Sequence, residues 1–239
     1  MPGKGFDVRA DYVEPAIRGT TAVLEATESL KTIKKVISMA SVLSLMPLGS
    51  LAAPDLSVTD NTGEAIPVSL DEPFPKDLLG HGLKYQASKI LAHQVYRDWT
   101  QQYKPDFSTI PIHSTFVLGP SLIQEAAEEI SGINAMFWTS LTSVQPLFPP
   151  ACVNVRDVAS AIDLVLKTDV QSGTEMILSG PIFTWHDVMD FVKILYPNFD
   201  IKLTSPSNQK LFADEKRAEQ ELAIKWRSME ELINSVMDQ

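Results

Sequence analysis

Hydrophobic residues along the chain follow two patterns, short apolar runs and longer segments with apolar positions at helical spacing. The runs KKVISMAS (34–41), ACVNV (151–155) and TEMILSG (174–180) predict strands buried in a sheet. The helical spacing predicts helices over the following segments: Asp11 to Leu30, Tyr85 to Tyr103, Leu122 to Leu141 with a break at Gly132, 158–167 after a cap at Asp157, Trp185 to Leu195, and Asp214 to Val236. Alternating strands and helices predict an α/β fold with a mostly parallel sheet.

Two further segments complete the prediction. FSTIPIHSTFVLG (107–119) is expected to form one strand that closes in a Gly-Pro turn, and residues 52–82, which contain four prolines, are expected to form a long loop. We expect a single domain over residues 1–239, with a sheet core in 1–120 and mixed substrate-side and C-terminal elements in 121–239.

Composition narrows the class of protein. The 239 residues are 44% hydrophobic and carry a net charge of −10, which argues against binding to nucleic acid or to an anionic membrane surface. No apolar run reaches the length of about 20 residues that a membrane span needs, and the N-terminal residues lack the apolar core of a secretory signal. The single cysteine, Cys152, cannot form an internal disulfide. These features predict a cytoplasmic globular protein.

The residues Tyr85 and Lys89, in YQASK, carry the most specific chemistry. Positions i and i+4 share a helix face, so the phenol and the ammonium can lie in one site, where the ammonium would lower the phenol pKa. Ser41, at the end of the KKVISMAS strand, could then donate a hydrogen bond to a substrate carbonyl oxygen. Taken alone, the same spacing is also typical of an ordinary solvated helix face.

Several ordered motifs together resemble the extended short-chain dehydrogenase/reductase family, near its dihydroflavonol-reductase-like and fungal ketoreductase members. DYVEPAIRGTTAVLEA resembles the helix before the catalytic strand, KKVISMASV the strand with the catalytic serine, and YQASKILA the tyrosine–lysine helix. FVLGP, VNVRDVASAI and ELAIKWRSMEELI resemble later parts of the same fold. The resemblance spans nearly the whole chain and implies a Rossmann-like doubly wound sheet.

The resemblance also implies roles for individual residues. Ser41 would orient the substrate carbonyl, Tyr85 would donate the proton, and Lys89 would tune Tyr85 and bind the nicotinamide ribose. Ser114 would lie beside the nicotinamide, where the family usually has a proline. The implied cofactor is NADP or NAD, the implied substrate is a hydrophobic small molecule with a carbonyl group, and no metal is implied.

The chain departs from the family pattern in its N-terminal part. The Gly-rich turn that holds the pyrophosphate at a helix N-terminus is absent, and no strand precedes Gly5. By this alignment the dinucleotide-binding strands of the family are missing, as in a truncated gene model. The MAS triplet that contains Ser41 also replaces a more polar run, which is a milder change.

The remaining candidates are expected to have structural roles. The four histidines, His81, His93, His113 and His186, show no metal-ligand spacing, and only His113 is expected near the pocket. Cys152 is expected in the core, residues 136–138 in helix packing, and Asp157 with Arg156 in a helix cap and surface pair.

Three functions remain open at this stage. The first is NAD(P)H-dependent reduction of a carbonyl on a hydrophobic small molecule. The second is a cofactor-independent isomerase or cyclase of secondary metabolism that uses Ser41, Tyr85 and Lys89. The third is a non-catalytic pseudoenzyme that binds a ligand or a homologous subunit. Fold alone does not choose among them.

We predict that the 239-residue chain by itself binds NADPH weakly or not at all, because it contains no Gly-rich phosphate cradle. Isothermal titration calorimetry of the purified chain measures the affinity. Binding at micromolar NADPH would contradict the prediction.

Overall fold

The computed structural model describes residues 5–60 and 62–238. The N-terminal segment that lacks the apolar core of a secretory signal therefore begins outside the described residues. A π-helical segment, Arg9–Val13, leads into the first of seven described helices. Their bounds are α1 Glu14–Glu28, α2 Leu78–Tyr103, α3 Gly132–Leu141, α4 Val155–Lys167, α5 Trp185–Leu195, α6 Lys216–Leu222 and α7 Met229–Met237. Among the described residues, no helix combines the length and the apolar character that a bilayer crossing requires.

The described strands form three small sheets. Their bounds are β1 Lys35–Ser41, β2 Asp55–Val58, β3 Ser108–Ser114, β4 Phe116–Leu118, β5 Cys152–Asn154, β6 Met176–Leu178 and β7 Lys210–Ala213. One sheet has the order β1-β3-β6, and the pairs β2-β7 and β4-β5 are both parallel. The α/β architecture predicted from the sequence is confirmed.

The chain folds into two compact units that are interleaved in sequence. The first unit takes in residues up to Ala52 together with Thr59–His113 and Asp169–Met176. The second takes in Ala53–Val58, Ser114–Thr168 and the chain from Ile177 onward. The expected single domain, with a sheet core in residues 1–120 and substrate-side and C-terminal elements in 121–239, stays a prediction.

Helix α2 organises the first unit. It begins at Leu78, seven residues before the predicted start, because Asp77 caps it by accepting a hydrogen bond from Gly80 N at 2.9 Å. It ends at Tyr103, and the left-handed backbone of the next residue, Lys104 (φ 44°), stops the helix. Its inner face buries Tyr96 and Trp99 against Leu24 of α1 and against Phe107. The burial of these large side chains fixes α2 on α1.

The second unit has its own apolar core, in which Trp185 is fully buried and donates its indole N–H to the Phe148 carbonyl at 2.9 Å. The cap predicted for α4 is corrected here. Asn154, not Asp157, caps the helix by accepting from Arg156 N at 2.9 Å. Asp157 is buried and pairs with the guanidinium of Arg227, so it forms no surface pair with Arg156. A buried carboxylate requires such a partner.

Three predicted segments differ from the structure. The expected single strand over 107–119 is interrupted at Thr115 and contributes β3 and β4 to separate sheets. The expected loop over 52–82 contains β2, which pairs with β7 of the C-terminal region. Gly132, predicted to break a helix, begins α3 with φ +62°. Strand pairing with residues distant in sequence determines the structure of the first two segments, and the left-handed backbone of Gly132 determines that of the third.

Strand β1 is an end strand of its sheet within the described part of the chain, and Met39 on it is 42% exposed. An unpaired strand edge can pair with another chain, so we predict concentration-dependent self-association. Sedimentation velocity at several concentrations measures it, and Met39→Lys should shift the protein toward monomer, since a charge on an edge strand opposes pairing. A wild-type chain that stays monomeric at all concentrations would contradict this.

Candidate active site

Ser41 ends strand β1, where the extended backbone turns into a short 3-10 segment, Val42–Leu45. Its side-chain oxygen caps this segment by accepting a hydrogen bond from Leu43 N at 3.3 Å. Accepting uses a lone pair of the oxygen, so the hydroxyl hydrogen remains able to donate to another group. The sequence predicted such a donor at the end of this strand.

Tyr85 and Lys89 lie one turn apart on α2, and the Lys89 Nζ is 5.5 Å from the centroid of the Tyr85 ring. Both side chains are half-buried. Within the described residues, neither the Tyr85 hydroxyl nor the Lys89 ammonium makes a hydrogen bond or an ion pair, so both polar groups remain able to bind a ligand.

Burial controls the protonation of this pair. It raises the pKa of the Tyr85 phenol above its ordinary value and lowers the pKa of Lys89 below its own. The sequence analysis expected Lys89 to lower the phenol pKa, and the direction in the structure is the opposite. Tyr85 is therefore protonated at neutral pH, which is the form that a proton donor needs.

Gln86, next to Tyr85 on α2, connects this helix to the segment that follows Ser41. Its amide nitrogen faces three backbone carbonyls, those of Leu43, Met46 and Pro47, at 3.4, 3.3 and 3.1 Å. Its amide oxygen accepts from Gly49 N at 2.9 Å. The buried side chain of Gln86 thereby fixes residues 43–49 relative to the helix turn that carries Tyr85. The sequence analysis did not identify this residue.

Ser114 is the buried last residue of β3, and it belongs to the second unit. Its predicted contact with the cofactor stays a prediction. The three other predicted site residues, Ser41, Tyr85 and Lys89, belong to the first unit.

A second polar cluster lies behind Ser41, and the sequence analysis missed it. The side chains of His93 from α2 and His113 from β3 face the carboxylate of Glu175, and all three residues are buried. His113 also contacts the Ser41 carbonyl through Nδ1 at 3.2 Å. Burial alone raises the pKa of Glu175, but the two imidazoles facing its oxygens outweigh burial and hold that pKa well below its ordinary value.

The other candidates from the sequence have structural surroundings. Cys152 is a buried free thiol in β5, and burial raises its pKa well above the ordinary value, as expected for a core residue. His81 lies 2.5 Å from the hydroxyl of Tyr12, and His186 is exposed on α5. Phe137 of the aromatic run 136–138 packs in the core of the second unit.

We predict that Gln86→Leu lowers the free energy of unfolding by about 2–4 kcal/mol, because the buried backbone groups of residues 43–49 lose their partners. Denaturant unfolding measures the change. Gln94→Leu on the same helix is the matched control, since the Gln94 side chain bonds to exposed Asp98, and it should change stability by less than about 0.5 kcal/mol. Equal effects of the two variants would contradict the role of Gln86.

The sequence of this chain is similar to those of several reductases. A ketoreductase from Aspergillus fumigatus is 29% identical over 236 residues, which cover 95% of this chain and 71% of that protein. A putative NADPH-dependent methylglyoxal reductase from Candida albicans is 25% identical over 207 residues, covering 82% of this chain and 58% of that protein. The chain spans 54–71% of the length of the first four curated relatives. No model of a known protein family matches the chain.

Solved structures show the same fold. The yeast methylglyoxal/isovaleraldehyde reductase in complex with NADPH superposes with a TM-score of 0.81 at 18% identity, over 99% of this chain and 72% of that chain. Vestitone reductase from alfalfa superposes with a TM-score of 0.70 at 16% identity, over 93% of this chain and 69% of that chain. By its Rossmann-like α/β fold and its sequence similarity to these reductases, the chain is similar to members of the extended short-chain dehydrogenase/reductase family.

Proposed function

We propose that this protein reduces the carbonyl group of a small hydrophobic aldehyde or ketone, with NADPH or NADH as the hydride donor. The observation that carries the proposal is the placement of Tyr85 and Lys89 on one turn of α2, tied through Gln86 to the segment that begins at Ser41. The relatives named as ketoreductase and as methylglyoxal or isovaleraldehyde reductase support carbonyl reduction and a small substrate.

The residues of this chain supply the proton and the orientation. The Ser41 hydroxyl donates a hydrogen bond to the substrate carbonyl oxygen and holds the carbonyl in place. As the carbonyl carbon gains a hydride, its oxygen gains negative charge, and the Tyr85 phenol donates its proton to that oxygen. The products are an alcohol, an oxidised nicotinamide and a Tyr85 phenolate, which the nearby Lys89 ammonium stabilises before water returns the proton.

The residues around Lys89 fit a nicotinamide cofactor. The Lys89 Nζ has no protein hydrogen-bond partner within the described residues and lies close to Tyr85, so it can donate to the ribose hydroxyls beside the nicotinamide. When bound, the reduced nicotinamide supplies the hydride. We also propose a cytoplasmic setting, supported by the unpaired thiol of Cys152.

We predict that Tyr85→Phe lowers kcat for aldehyde reduction by about 10²- to 10⁴-fold, because the ring stays but the proton donor is lost. The rate is followed by the loss of reduced-nicotinamide absorbance at saturating NADPH with a panel of aldehydes and ketones. Tyr103→Phe is the matched control, since Tyr103 lies on the same helix and is 48% exposed, and it should leave kcat unchanged. Equal activity of Tyr85→Phe and wild type would contradict the assignment.

The pH profile tests Lys89. Reduction needs a protonated Tyr85, so the rate should be constant at neutral pH and fall only as the pH rises through the phenol pKa, which burial raises. Lys89→Met removes a charge that favours the phenolate, so the basic limb of the profile should move to still higher pH. Ser41→Ala should lower kcat by about 10²- to 10³-fold without moving that limb. An unchanged basic limb in Lys89→Met would contradict the role of Lys89.

A further inference from the structure

Three buried ligand atoms converge behind the strand that carries Ser41. His93, His113 and Glu175 are 7%, 0% and 3% exposed, and their ligand atoms all lie within 4.8 Å of one another. The two imidazole rings stand almost perpendicular, at 87°, with their centroids 4.6 Å apart. All three residues belong to the first unit. The proposed reduction uses none of them.

These atoms lack the contacts that buried polar atoms normally make. Within the described residues, the Nε2 atoms of His93 and His113 and the Oε2 atom of Glu175 have no well-aligned hydrogen-bond partner. Leaving such atoms unpaired is costly, so their grouping requires an explanation. Unpaired ligand atoms within 4.8 Å of one another are a common arrangement around a bound cation.

The distance from His113 to the free oxygen of Glu175 agrees with metal coordination rather than with hydrogen bonding, and His93 lies at the same distance from the other oxygen of that carboxylate. Nε2 of His93 is 3.3 Å from Glu175 Oε1, and Nε2 of His113 is 3.3 Å from Glu175 Oε2. A charge-assisted N–H···O bond is shorter, about 2.7–2.9 Å. A tetrahedral zinc ion with bonds of about 2.0–2.1 Å separates its ligands by about 3.3–3.4 Å, as the bond length and the tetrahedral angle require.

The surroundings of His113 select its tautomer. The Ser44 hydroxyl donates to the Ser41 carbonyl at 2.6 Å, so its hydrogen is already used. His113 Nδ1 lies 3.1 Å from the Ser44 oxygen and 3.2 Å from the same carbonyl, and it must therefore be the donor. In the neutral imidazole this places the proton on Nδ1 and leaves a lone pair on Nε2. A backbone carbonyl that orients the ring in this way is the usual partner of a metal-bound histidine.

The carboxylate is held equally firmly. The segment before Glu175 is tied to the start of β3, because Gly173 N donates to the Thr109 carbonyl at 2.8 Å and Thr109 N donates to the Ser172 hydroxyl at 3.1 Å. Arg97 Nε lies 3.7 Å from Oε1 of Glu175, which leaves Oε2 as the free ligand atom. Outer-shell charges of this kind commonly accompany a ligating carboxylate.

From this geometry we propose that His93, His113 and Glu175 form a binding site for one zinc-class divalent metal ion. Imidazole nitrogens favour zinc over magnesium or calcium. A water molecule would complete the tetrahedron as the fourth ligand. The ion joins α2, β3 and the segment before β6, and through His113 it supports the Ser41 carbonyl. The site does not depend on the proposed reductase activity.

The test is a zinc titration of the full chain after removal of metal with a chelator, followed by competition with a chromophoric zinc indicator. We expect one tightly bound zinc per chain and a rise of several degrees in the unfolding midpoint. Glu175→Gln and His93→Gln should each weaken binding at least about a hundredfold, since each removes one of three ligands. His186→Gln, which removes an exposed imidazole, is the matched control and should bind as the wild type does.

Two further measurements keep the test decisive if a variant folds poorly. Cobalt substitution of the wild-type chain should give the visible absorption of a tetrahedral site, and X-ray absorption of the zinc-loaded chain should show two imidazole ligands. Wild-type binding no tighter than that of Glu175→Gln would overturn the proposal. So would an unfolding midpoint that zinc does not change, in which case the cluster holds a proton between His113 and Glu175 instead.

Discussion

The contact between Gln86 and the segment after Ser41 determines the geometry of the site. Tyr85 is placed by a long helix and Ser41 by a strand end, and the two residues are more than forty positions apart in sequence. The side-chain amide of Gln86 donates to the carbonyls of Leu43 and Pro47 and accepts from Gly49 N, so it bonds the backbone of this segment from the side of the helix. A residue of the same size without an amide would leave those backbone groups without partners, so Gln86 contributes both to stability and to the geometry of the proposed site.

Sequence patterns predicted the features that depend on local spacing. Tyr85 and Lys89 are four residues apart, and Ser41 ends an apolar run, so helix and strand periodicity alone places each on its element. Strands β2 and β7 escaped prediction because each is stabilised mainly by the other, across about 150 residues of chain. Local propensity does not report such a pairing.

The same limit explains the missed cluster. His93 and His113 are 20 residues apart, and Glu175 follows 62 residues later, so no motif of ligand spacing links them. They meet because the His93 ring of α2 lies against the His113 ring of β3 and because the turn around Gly173, with φ +83°, is bonded to β3. The pKa of Tyr85 was mispredicted for a related reason, since spacing reveals a neighbouring charge but not the extent of burial that opposes it.

The cap that Ser41 makes on Leu43 has a consequence for the dynamics of the side chain. A serine at a strand end normally rotates freely among three staggered positions. Here the hydrogen bond from Leu43 N selects a rotamer before any substrate arrives. Rotational freedom that is already lost in the free protein is not lost again during binding. In the proposed reduction the hydroxyl is therefore a preorganised dipole, whose rotational entropy is lost during folding and not during substrate binding.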